Sequence, residues 1–465
     1  MGIVREFAAK AIDARLALRE GEHGITRRAM ERQLAMVAWA RSGSPFYRRL
    51  YRGLPADITT LQDVPPVTKP ALMAEFDDWV TDGAVLREDL RTWLADPATI
   101  GRMFRGKYLA YTTSGTTGEP AVLLEDEASL AAAYASRVRM VPGFLSGELI
   151  REYLRRRGAV ATLLATGGPY GGIAMVEWAW RINPALRGMR VYSVNDPLPD
   201  LVAALNAQQP VVLAGYTSAL ELLADEAVAG RLRITPLAVG TLAEGYSPHG
   251  KALLERAWGV PIVDTYACSE MPVMAIGCVH GRLHHQVDWV TLEPVDHAYR
   301  PVPDGEASYT VLVTNHFNRV QPIVRYDLGD SITVDPAPCP CGSPLPVIRV
   351  EGRSRDLLLL RDAGGAMVRI LPLAISSVAE EAAGVHRVQL VQTEPSAVLI
   401  RLEAERGADH ALVGADIERR LGGYLTRIGL GNVRLQVSPD PPVLSGSGKF
   451  RGVYRETGAV EMATV

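Results

Sequence analysis

Short β-branched runs alternate with helical runs between about residues 105 and 330, and this alternation limits the fold more than any other feature of the chain. Strands are predicted at Val211–Tyr216, Pro236–Gly240 and Pro261–Tyr266, and helices are predicted between them at Ser218–Ala229 and Lys251–Trp258. Strands that alternate with helices in this way form parallel sheets covered by helices. The sequence therefore predicts an α/β fold with parallel-rich sheets.

The pattern changes after Gly352. Three strands are predicted there at Val388–Gln392, Ala397–Glu403 and Val433–Val437, together with a helix from about Asp409 to Ile428 that is interrupted at Gly422 and Gly423. A chain of 465 residues is also too long for one compact core. We therefore expect a large N-terminal domain of residues 1–352 and a small α+β C-terminal domain of residues 353–465.

The beginning of the chain is predicted to be helical. Apolar residues recur at helical spacing over residues 4–42, and Ser44-Pro45 ends the pattern. Met1–Arg32 lacks the apolar core of a signal peptide, and no run in the chain approaches the roughly 18 apolar residues of a membrane helix. We expect a cytoplasmic protein with no membrane partner.

Charge and cysteine content narrow the class of protein further. The net charge of −3 gives no electrostatic reason to expect nucleic acid as a partner. Four cysteines in a chain of this length are too few for a disulfide scaffold. They are interpreted as buried thiols or metal ligands.

Tyr111–Pro120, with the sequence YTTSGTTGEP, is predicted to hold phosphate. Its two glycines let backbone N–H groups turn inward, and its hydroxyl groups add further donors. It differs from a Walker A loop, which requires Gly-Lys followed by Ser or Thr and then a helix. Strand-like segments, Lys107–Tyr111 and Ala121–Leu124, flank it instead, so a plain surface hairpin is the alternative.

This loop resembles the SSGTTGxP signature of the adenylate-forming superfamily, in particular its phenylacetate-CoA ligase-like branch. Ser44–Tyr51 and Ile58–Phe76 look like the amino-terminal signature of the same branch. The resemblance implies that the loop binds ATP through the following residues: Thr113, Ser114, Gly115, Thr116, Thr117 and Gly118.

Two further segments match the superfamily's nucleotide site. Asp264–Glu270, DTYACSE, resembles its Y-G-x-[ST]-E element, which implies Tyr266 against adenine, Ser269 near the phosphate and acyl groups, and Glu270 on Mg²⁺. A carboxylate beside a polyphosphate needs a cation between them. Val324–Asp330, VRYDLGD, resembles RY-x-[TL]-GD and implies that Asp330 accepts the ribose hydroxyls, with Arg325 near phosphate.

Two segments near the predicted small domain complete the resemblance. EGRSRDLLLL implies that Arg353 reaches the ribose or the α-phosphate and that a hinge lies near Arg353–Arg361, although Arg355 stands where the family has its hinge Asp. LSGSGKFRG, Leu444–Gly452, implies a mobile Lys449 that neutralises charge during adenylation. Lys449, Glu270 and Thr116 are the expected catalytic residues.

Three cysteines and a histidine are the expected ligands of a structural zinc ion. Cys278 precedes His284 by six residues, and CPCG supplies Cys339 and Cys341, so the set offers three thiols and one imidazole, as tetrahedral zinc requires. The branch often carries this cluster. His280 and His285 compete with His284, and unliganded buried thiols are the alternative for the cysteines.

The resemblance implies an AMP-forming ligase that converts a carboxylate and ATP to acyl-AMP and then forms a thioester with CoA. An aryl or arylacetic acid is implied, with Leu163–Gly172 and Thr241 near its pocket, Trp178 and Trp180 behind it, and room for a ring at Gly167 and Gly168. A different acceptor, such as an amine or a carrier-protein thiol, stays open, as do activation of nitrite for diazo formation and assembly as a homodimer. A nucleotide-binding regulator on the same scaffold is disfavoured, because Lys449 and Glu270 are present.

The basic cluster Arg155–Arg157 is interpreted as a solvated helix face, with a site for the 3′-phosphate of CoA as the alternative.

Overall fold

The computed structural model describes residues 2–113, 120–139, 147–183, 186, 188–246, 248–353, 356–370, 372–443 and 450–456. Its helices are α1 (Gly2–Gly43), α2 (Pro45–Leu50), α3 (Lys69–Ala74), α4 (Phe76–Trp79), α5 (Arg87–Ala95), α6 (Glu127–Val138), α7 (Gly147–Arg155), α8 (Gly171–Ile182), α9 (Leu198–Gln208), α10 (Thr217–Val228), α11 (Pro248–Trp258), α12 (Pro372–Glu380) and α13 (His410–Arg427).

The strands of the amino-terminal part are β1 (Met103–Phe104), β2 (Tyr108–Thr112), β3 (Val122–Asp126), β4 (Val160–Leu164), β5 (Met189–Ser193), β6 (Val212–Tyr216), β7 (Ala238–Leu242), β8 (Ile262–Tyr266), β9 (Ala275–Gly277), β10 (Leu283–His285), β11 (Val290–Val295), β12 (Thr310–Asn315), β13 (Tyr326–Asp327), β14 (Asp330–Asp335) and β15 (Val347–Arg353). Those that follow are β16 (Leu358–Arg361), β17 (Met367–Ile370), β18 (Val385–Glu394), β19 (Ala397–Ala404), β20 (Arg434–Val437) and β21 (Val453–Arg455).

A nine-stranded mixed sheet lies at the centre, in the order β14-β15-β10-β9-β8-β7-β6-β4-β5. Strands β5, β4, β6, β7 and β8 are parallel, which confirms the alternation of strands and helices predicted from the sequence. From β8 onward each neighbouring pair is antiparallel. Short connections join β8, β9 and β10, and a short connection permits only antiparallel pairing.

Residues after the central sheet have a core of their own. Buried apolar residues from Leu358 to Val453 form one cluster, built on the four-stranded sheet β20-β19-β18-β21 and on α12 and α13. The α+β character expected for this part is therefore present, while the division at residue 353 stays a prediction. The predicted interruption at Gly422 and Gly423 is wrong, because α13 runs through both glycines and buries Leu421 and Leu425 on one face.

The first helix agrees with its prediction, since α1 covers residues 2–43 and ends just before Ser44. Ser44 accepts a hydrogen bond at Oγ from the backbone N–H of Tyr47 at 3.3 Å, and so caps α2. A kink inside α1 at Gly21, where φ is 70°, was not foreseen. Within the described part of the chain, no helix is both long enough and apolar enough to cross a membrane.

Candidate active site

The predicted phosphate loop lies at the tip of a β-hairpin. Strands β2 and β3 are antiparallel and pair as far as Thr112 and Val122. The next pair closes the mouth of the hairpin: the N–H of Thr113 donates to the carbonyl of Ala121 at 3.0 Å, and the N–H of Ala121 donates to Thr113 Oγ1 at 2.9 Å. The flanking strands are thus confirmed, and the loop residues Ser114, Gly115, Thr116, Thr117 and Gly118 lie outside the described residues.

Sequence reasoning did not single out Lys69, which lies beside this hairpin. Its Nζ is 3.5 Å from Thr113 Oγ1, at the mouth of the loop. Lys69 belongs to Ile58–Phe76, the segment that looks like the amino-terminal signature of the branch. The structure places that segment beside the candidate phosphate site. The ammonium group of Lys69, 44 residues before Thr113 in the sequence, therefore lies at this site.

A buried network supports the turn that carries Ser269 and Glu270. The hydroxyl of Tyr111 donates to the carbonyl of Ser269 at 3.0 Å and lies 3.3 Å from Glu125 Oε1. Burial raises the pKa of Glu125 to about 8, and this carboxyl also hydrogen-bonds the hydroxyl of Ser129. A neutral Glu125 can itself act as a hydrogen-bond donor within the network. The hydroxyl of Tyr111 can then donate its hydrogen bond to the carbonyl of Ser269.

Tyr266 is the last residue of β8, and its hydroxyl donates to Asp330 Oδ2 at 2.8 Å. The turn that follows is closed by two backbone bonds between Cys268 and Met271. Within this turn Glu270 accepts a hydrogen bond at Oε1 from the hydroxyl of Tyr326 at 3.1 Å. The structure therefore brings together the end of β8, the turn that follows it, and the first residues of β13 and β14.

Cys268 lies in the same turn. Burial raises the pKa of its thiol well above the usual range, so it stays a thiol at neutral pH. This agrees with a packing role for Cys268.

The remaining candidates have different outcomes. Arg353 ends β15 directly opposite Asp330 in the β14–β15 ladder, and its side chain is outside what the structure describes. Lys449 likewise lies outside the described residues. The expectation of Arg325 near phosphate is wrong, because its buried guanidinium pairs with Glu293 Oε2 at 3.0 Å and donates to the carbonyl of Val64 at 2.6 Å.

The cysteine and histidine cluster assembles as predicted, with ligand atoms of Cys278, His284, Cys339 and Cys341 all within 4.8 Å of one another. Cys278 Sγ is 3.7 Å from Cys339 Sγ, and Cys341 Sγ is 3.3 Å from His284 Nε2. Zn–S bonds of about 2.3 Å in a tetrahedron place sulfur atoms roughly 3.8 Å apart, so the donor set fits zinc.

Geometry also decides between the competing histidines. His284 Nδ1 lies 3.1 Å from the carbonyl of Leu345, which leaves Nε2 facing the thiols. His285 Nε2 is instead hydrogen-bonded to the carbonyl of Val290 at 2.9 Å, and burial lowers the pKa of His285 to about 4. His280 is exposed and outside the cluster.

Comparison with known proteins gives one sequence relative and several structures. No family model matches the chain. Protein CapK of Staphylococcus aureus is 25% identical over 244 residues, which is 50% of this chain and 51% of CapK, so the match spans about half of each protein.

Two solved structures are similar to this chain over most of its length. A 2-hydroxyisobutyryl-CoA ligase in the postadenylation state, in complex with 2-HIB-AMP, is 21% identical over 94% of this chain and 89% of its own, with a TM-score of 0.69. The anthranilate CoA ligase AuaEII in complex with anthranoyl-AMP is 15% identical over 73% of this chain and 64% of its own, with a TM-score of 0.52. The chain has the same fold as these two CoA ligases.

The structural similarity depends on the state of the neighbour. The same 2-hydroxyisobutyryl-CoA ligase in its thioesterification state, with CoA bound, gives a TM-score of 0.56 rather than 0.69. The chain is therefore more similar to the postadenylation state of that ligase.

The structure corrects one detail of the predicted acyl pocket and leaves the others as predictions. A Cβ at Gly168 would lie 2.8 Å from Cζ of Tyr170, so this glycine leaves room for the ring of Tyr170 rather than for a substrate ring. Trp178 is buried in the core and packs against Tyr134, with ring centroids 5.9 Å apart. Gly168 therefore gives no support for a substrate ring, whereas Gly167 has open space and a core position of Trp178 is compatible with a place behind the pocket.

Proposed function

We propose that the protein is an AMP-forming ligase that activates a small carboxylic acid. A carboxylate oxygen attacks the α-phosphorus of ATP, which gives acyl-AMP and releases pyrophosphate. The thiol of CoA then attacks the acyl carbon, which gives the thioester and releases AMP. The bond between Tyr266 and Asp330 carries this proposal, because it joins the residues predicted for adenine and ribose at 2.8 Å on the matching fold.

The proposed roles follow the positions of the side chains. Tyr266 stacks on adenine, and Asp330 accepts the two ribose hydroxyls with its two carboxylate oxygens. Glu270 would hold Mg²⁺, which supplies charge neutralisation between the carboxylate and the phosphates when bound. The hydroxyl and N–H groups of the loop at Thr113, with Lys69 beside them, bind the phosphates.

Three residues complete the proposal. Thr116 and Lys449 stabilise the charge that develops at phosphorus, and Arg353 reaches the ribose or the α-phosphate. In the second half-reaction the C-terminal unit, residues 353–465, rotates and replaces Lys449 with a path for CoA. The higher similarity to a postadenylation state supports an arrangement close to the first half-reaction.

The acid is proposed to be an aryl or arylacetic acid. An anthranilate CoA ligase and a benzoate CoA ligase from Burkholderia xenovorans LB400 share the fold, the second with a TM-score of 0.51 over 71% of this chain. The ligase with the higher TM-score takes an aliphatic acid, 2-hydroxyisobutyrate. Short aliphatic acids therefore belong in any substrate panel.

The metal is proposed to be a structural zinc ion. Four protein ligands leave no open position for water, and an acyl transfer driven by ATP needs no metal hydroxide. The ligands join the β9–β10 turn to the segment between β14 and β15, 55 residues from His284 to Cys339. Metal binding then contributes to the free energy of folding rather than to the rate.

Carboxylate-dependent exchange of labelled pyrophosphate into ATP tests the proposal. Aryl, arylacetic and short aliphatic acids are each supplied with Mg²⁺ and ATP, and reactions without acid are the control. We expect exchange with at least one acid and AMP release that rises when CoA is added. Exchange without a CoA effect would assign the second step to an amine or a carrier-protein thiol, and no exchange with any acid would refute adenylation of a carboxylate.

The basic residues considered for CoA do not support that role. Arg155 Nη2 and Arg156 Nε lie 2.6 Å and 3.0 Å from Glu152 Oε2. Glu152 and Arg155 belong to α7, and Arg156 directly follows it. A carboxylate already neutralises both in part. The side chain of Arg155 is solvated, as expected of an exposed helix face, whereas Arg156 is mostly buried and donates to the carbonyl of Thr235 at 3.0 Å.

A further inference from the structure

Glu244 lies in the loop after β7 and uses both of its carboxylate oxygens. Oε2 accepts the backbone N–H of Ser218 at 2.9 Å, in the first turn of α10. Oε1 accepts the backbone N–H of Phe450 at 3.0 Å. One carboxylate therefore connects the central part of the chain to the C-terminal unit.

The loop that carries Glu244 is held firmly in place. The hydroxyl of Thr217 donates to the carbonyl of Glu244 at 2.7 Å. The N-cap residue of α10, Tyr216, makes no side-chain capping bond, so Glu244 supplies the acceptor that a capping side chain normally provides. Ala243, next to Glu244, has φ of 66°, a left-handed conformation that is rare for residues other than glycine and persists when its surroundings enforce it.

Arg387 makes a second connection at the same place. Its Nη2 donates to the carbonyl of Ser218 at 3.3 Å, and its guanidinium carbon lies 5.2 Å from the centroid of the Phe450 ring. Glu244, Ser218, Arg387 and Phe450 thus form a closed ring of contacts. Two members belong to the central part of the chain and two belong to the C-terminal unit.

We propose that Glu244 is a positioning residue that holds Phe450, the residue directly after the expected catalytic Lys449, in place for adenylation. The N–H that it binds belongs to the peptide bond between Lys449 and Phe450, so the contact acts on the chain directly beside the expected catalytic lysine. The proposal rests on the proposed function, since it requires that Lys449 serve the first half-reaction. Glu244 itself touches no reacting atom in this account.

A carboxylate suits this task because the two donors approach different oxygens. Glutamine offers one acceptor oxygen and an NH₂ group, so one of the two N–H donors would face another donor. Glu244→Gln keeps the size of the side chain and removes one of the two bonds. A hydrogen bond to a charged group contributes enough that its loss corresponds to roughly a 10- to 100-fold change.

The test measures the two half-reactions separately. Glu244→Gln should reduce acid-dependent pyrophosphate exchange by roughly 10- to 100-fold, while acyl transfer to CoA from supplied acyl-AMP stays close to the unsubstituted rate. Glu226→Gln is the matched control, because Glu226 lies on α10, the helix that Glu244 contacts at Ser218, and pairs with Arg231 just beyond the end of that helix. The control should leave both rates unchanged.

Arg387→Met provides a second variant should Glu244→Gln lower the folded fraction, which the thermal unfolding temperature reports. It should show the same selective loss of exchange, since it removes the guanidinium but keeps an apolar stem. Equal losses in both half-reactions, or full exchange in both variants, would overturn the role of Glu244. Failure of the unsubstituted protein to exchange would instead refute the proposed function.

Discussion

Tyr266 and Asp330 are 64 residues apart in sequence, yet the hydroxyl of one donates to a carboxylate oxygen of the other at 2.8 Å. The tyrosine ends a parallel strand and the aspartate begins an antiparallel one, with three strands of the same sheet between them. The bond fixes the direction of the tyrosine ring relative to the carboxylate. Two groups proposed to bind different parts of one nucleotide are therefore oriented together.

Tyr266→Phe should raise the KM for ATP by about 10-fold, with a smaller effect on the maximal rate of exchange. The ring stays in place, but a hydrogen bond to a charged acceptor is lost and Asp330 is less well oriented. Tyr192→Phe is a matched control that removes a tyrosine hydroxyl bonded to Gln208 at 2.9 Å, near the far edge of the sheet. A KM for ATP that is unchanged in Tyr266→Phe would contradict the pairing role.

Lys449→Ala should reduce pyrophosphate exchange by roughly 10²- to 10³-fold, the usual effect of removing one well-placed donor to a developing charge. Acyl transfer from supplied acyl-AMP should be largely retained, because Lys449 acts only in the first half-reaction. Lys251→Ala, at a half-exposed lysine of α11, controls for the loss of a positive charge. Equal loss in both half-reactions would refute the account of two arrangements.

Cys339→Ser should lower both the zinc content and the thermal unfolding temperature, while the protein that stays folded keeps most of its activity. The reason is that the cluster links two distant segments and leaves no ligand position for chemistry. Cys268→Ser changes a thiol outside the cluster and should keep the zinc. Elemental analysis and thermal unfolding check this, and a metal-free protein of full stability would contradict it.

Glu125→Gln should flatten the dependence of stability on pH. In the folded protein the pKa of Glu125 is about 8, above the unfolded value of 4.5, so the folded state holds a proton that the unfolded state has released. The contribution of Glu125 is complete below about pH 4.5 and is lost as pH rises through 8. A glutamine has no such proton, and it can still bond Ser129 and Tyr111.

The measurement is thermal unfolding at several pH values between 5 and 8. The unsubstituted protein should lose stability relative to Glu125→Gln as the pH rises, on the order of a few kcal/mol over this range. Glu88→Gln, at a carboxylate whose side chain is 81% exposed, should follow the unsubstituted protein. Parallel curves for Glu125→Gln and the unsubstituted protein would show that Glu125 is ionised in both states.

Local patterns in the sequence predicted individual elements well and long-range contacts poorly. The strand and helix from Val211 to Ala229 appear as β6 and α10 within one or two residues, because β-branched runs and helical periodicity are local signals. The antiparallel half of the sheet was not predicted, since it depends on how short connections fold back. The pairing of Arg325 with Glu293 was not predicted either, because the two residues are 32 positions apart in the sequence.

At the metal site, the alternation of side chains along a strand distinguishes the two candidate histidines. His284 and His285 were left as competitors, although adjacent residues of a strand point to opposite faces of a sheet. Both lie in β10, and only His284 faces the three cysteines. By contrast, no sequence pattern pairs Glu244 with Phe450, since 206 positions separate them.

The β14–β15 ladder has a consequence for how motion reaches Asp330. Asp330 pairs with Arg353 on one rung, Ser331 pairs with Gly352 on the next, and a bulge then separates both rungs from the remainder of the two strands. A bulge interrupts the ladder and increases local twist. A displacement of the backbone at Arg353 would thus reach Asp330 before it spreads to the rest of the sheet. A spectroscopic probe on this strand pair would report a change at Asp330 earlier than a probe on the strands beyond the bulge.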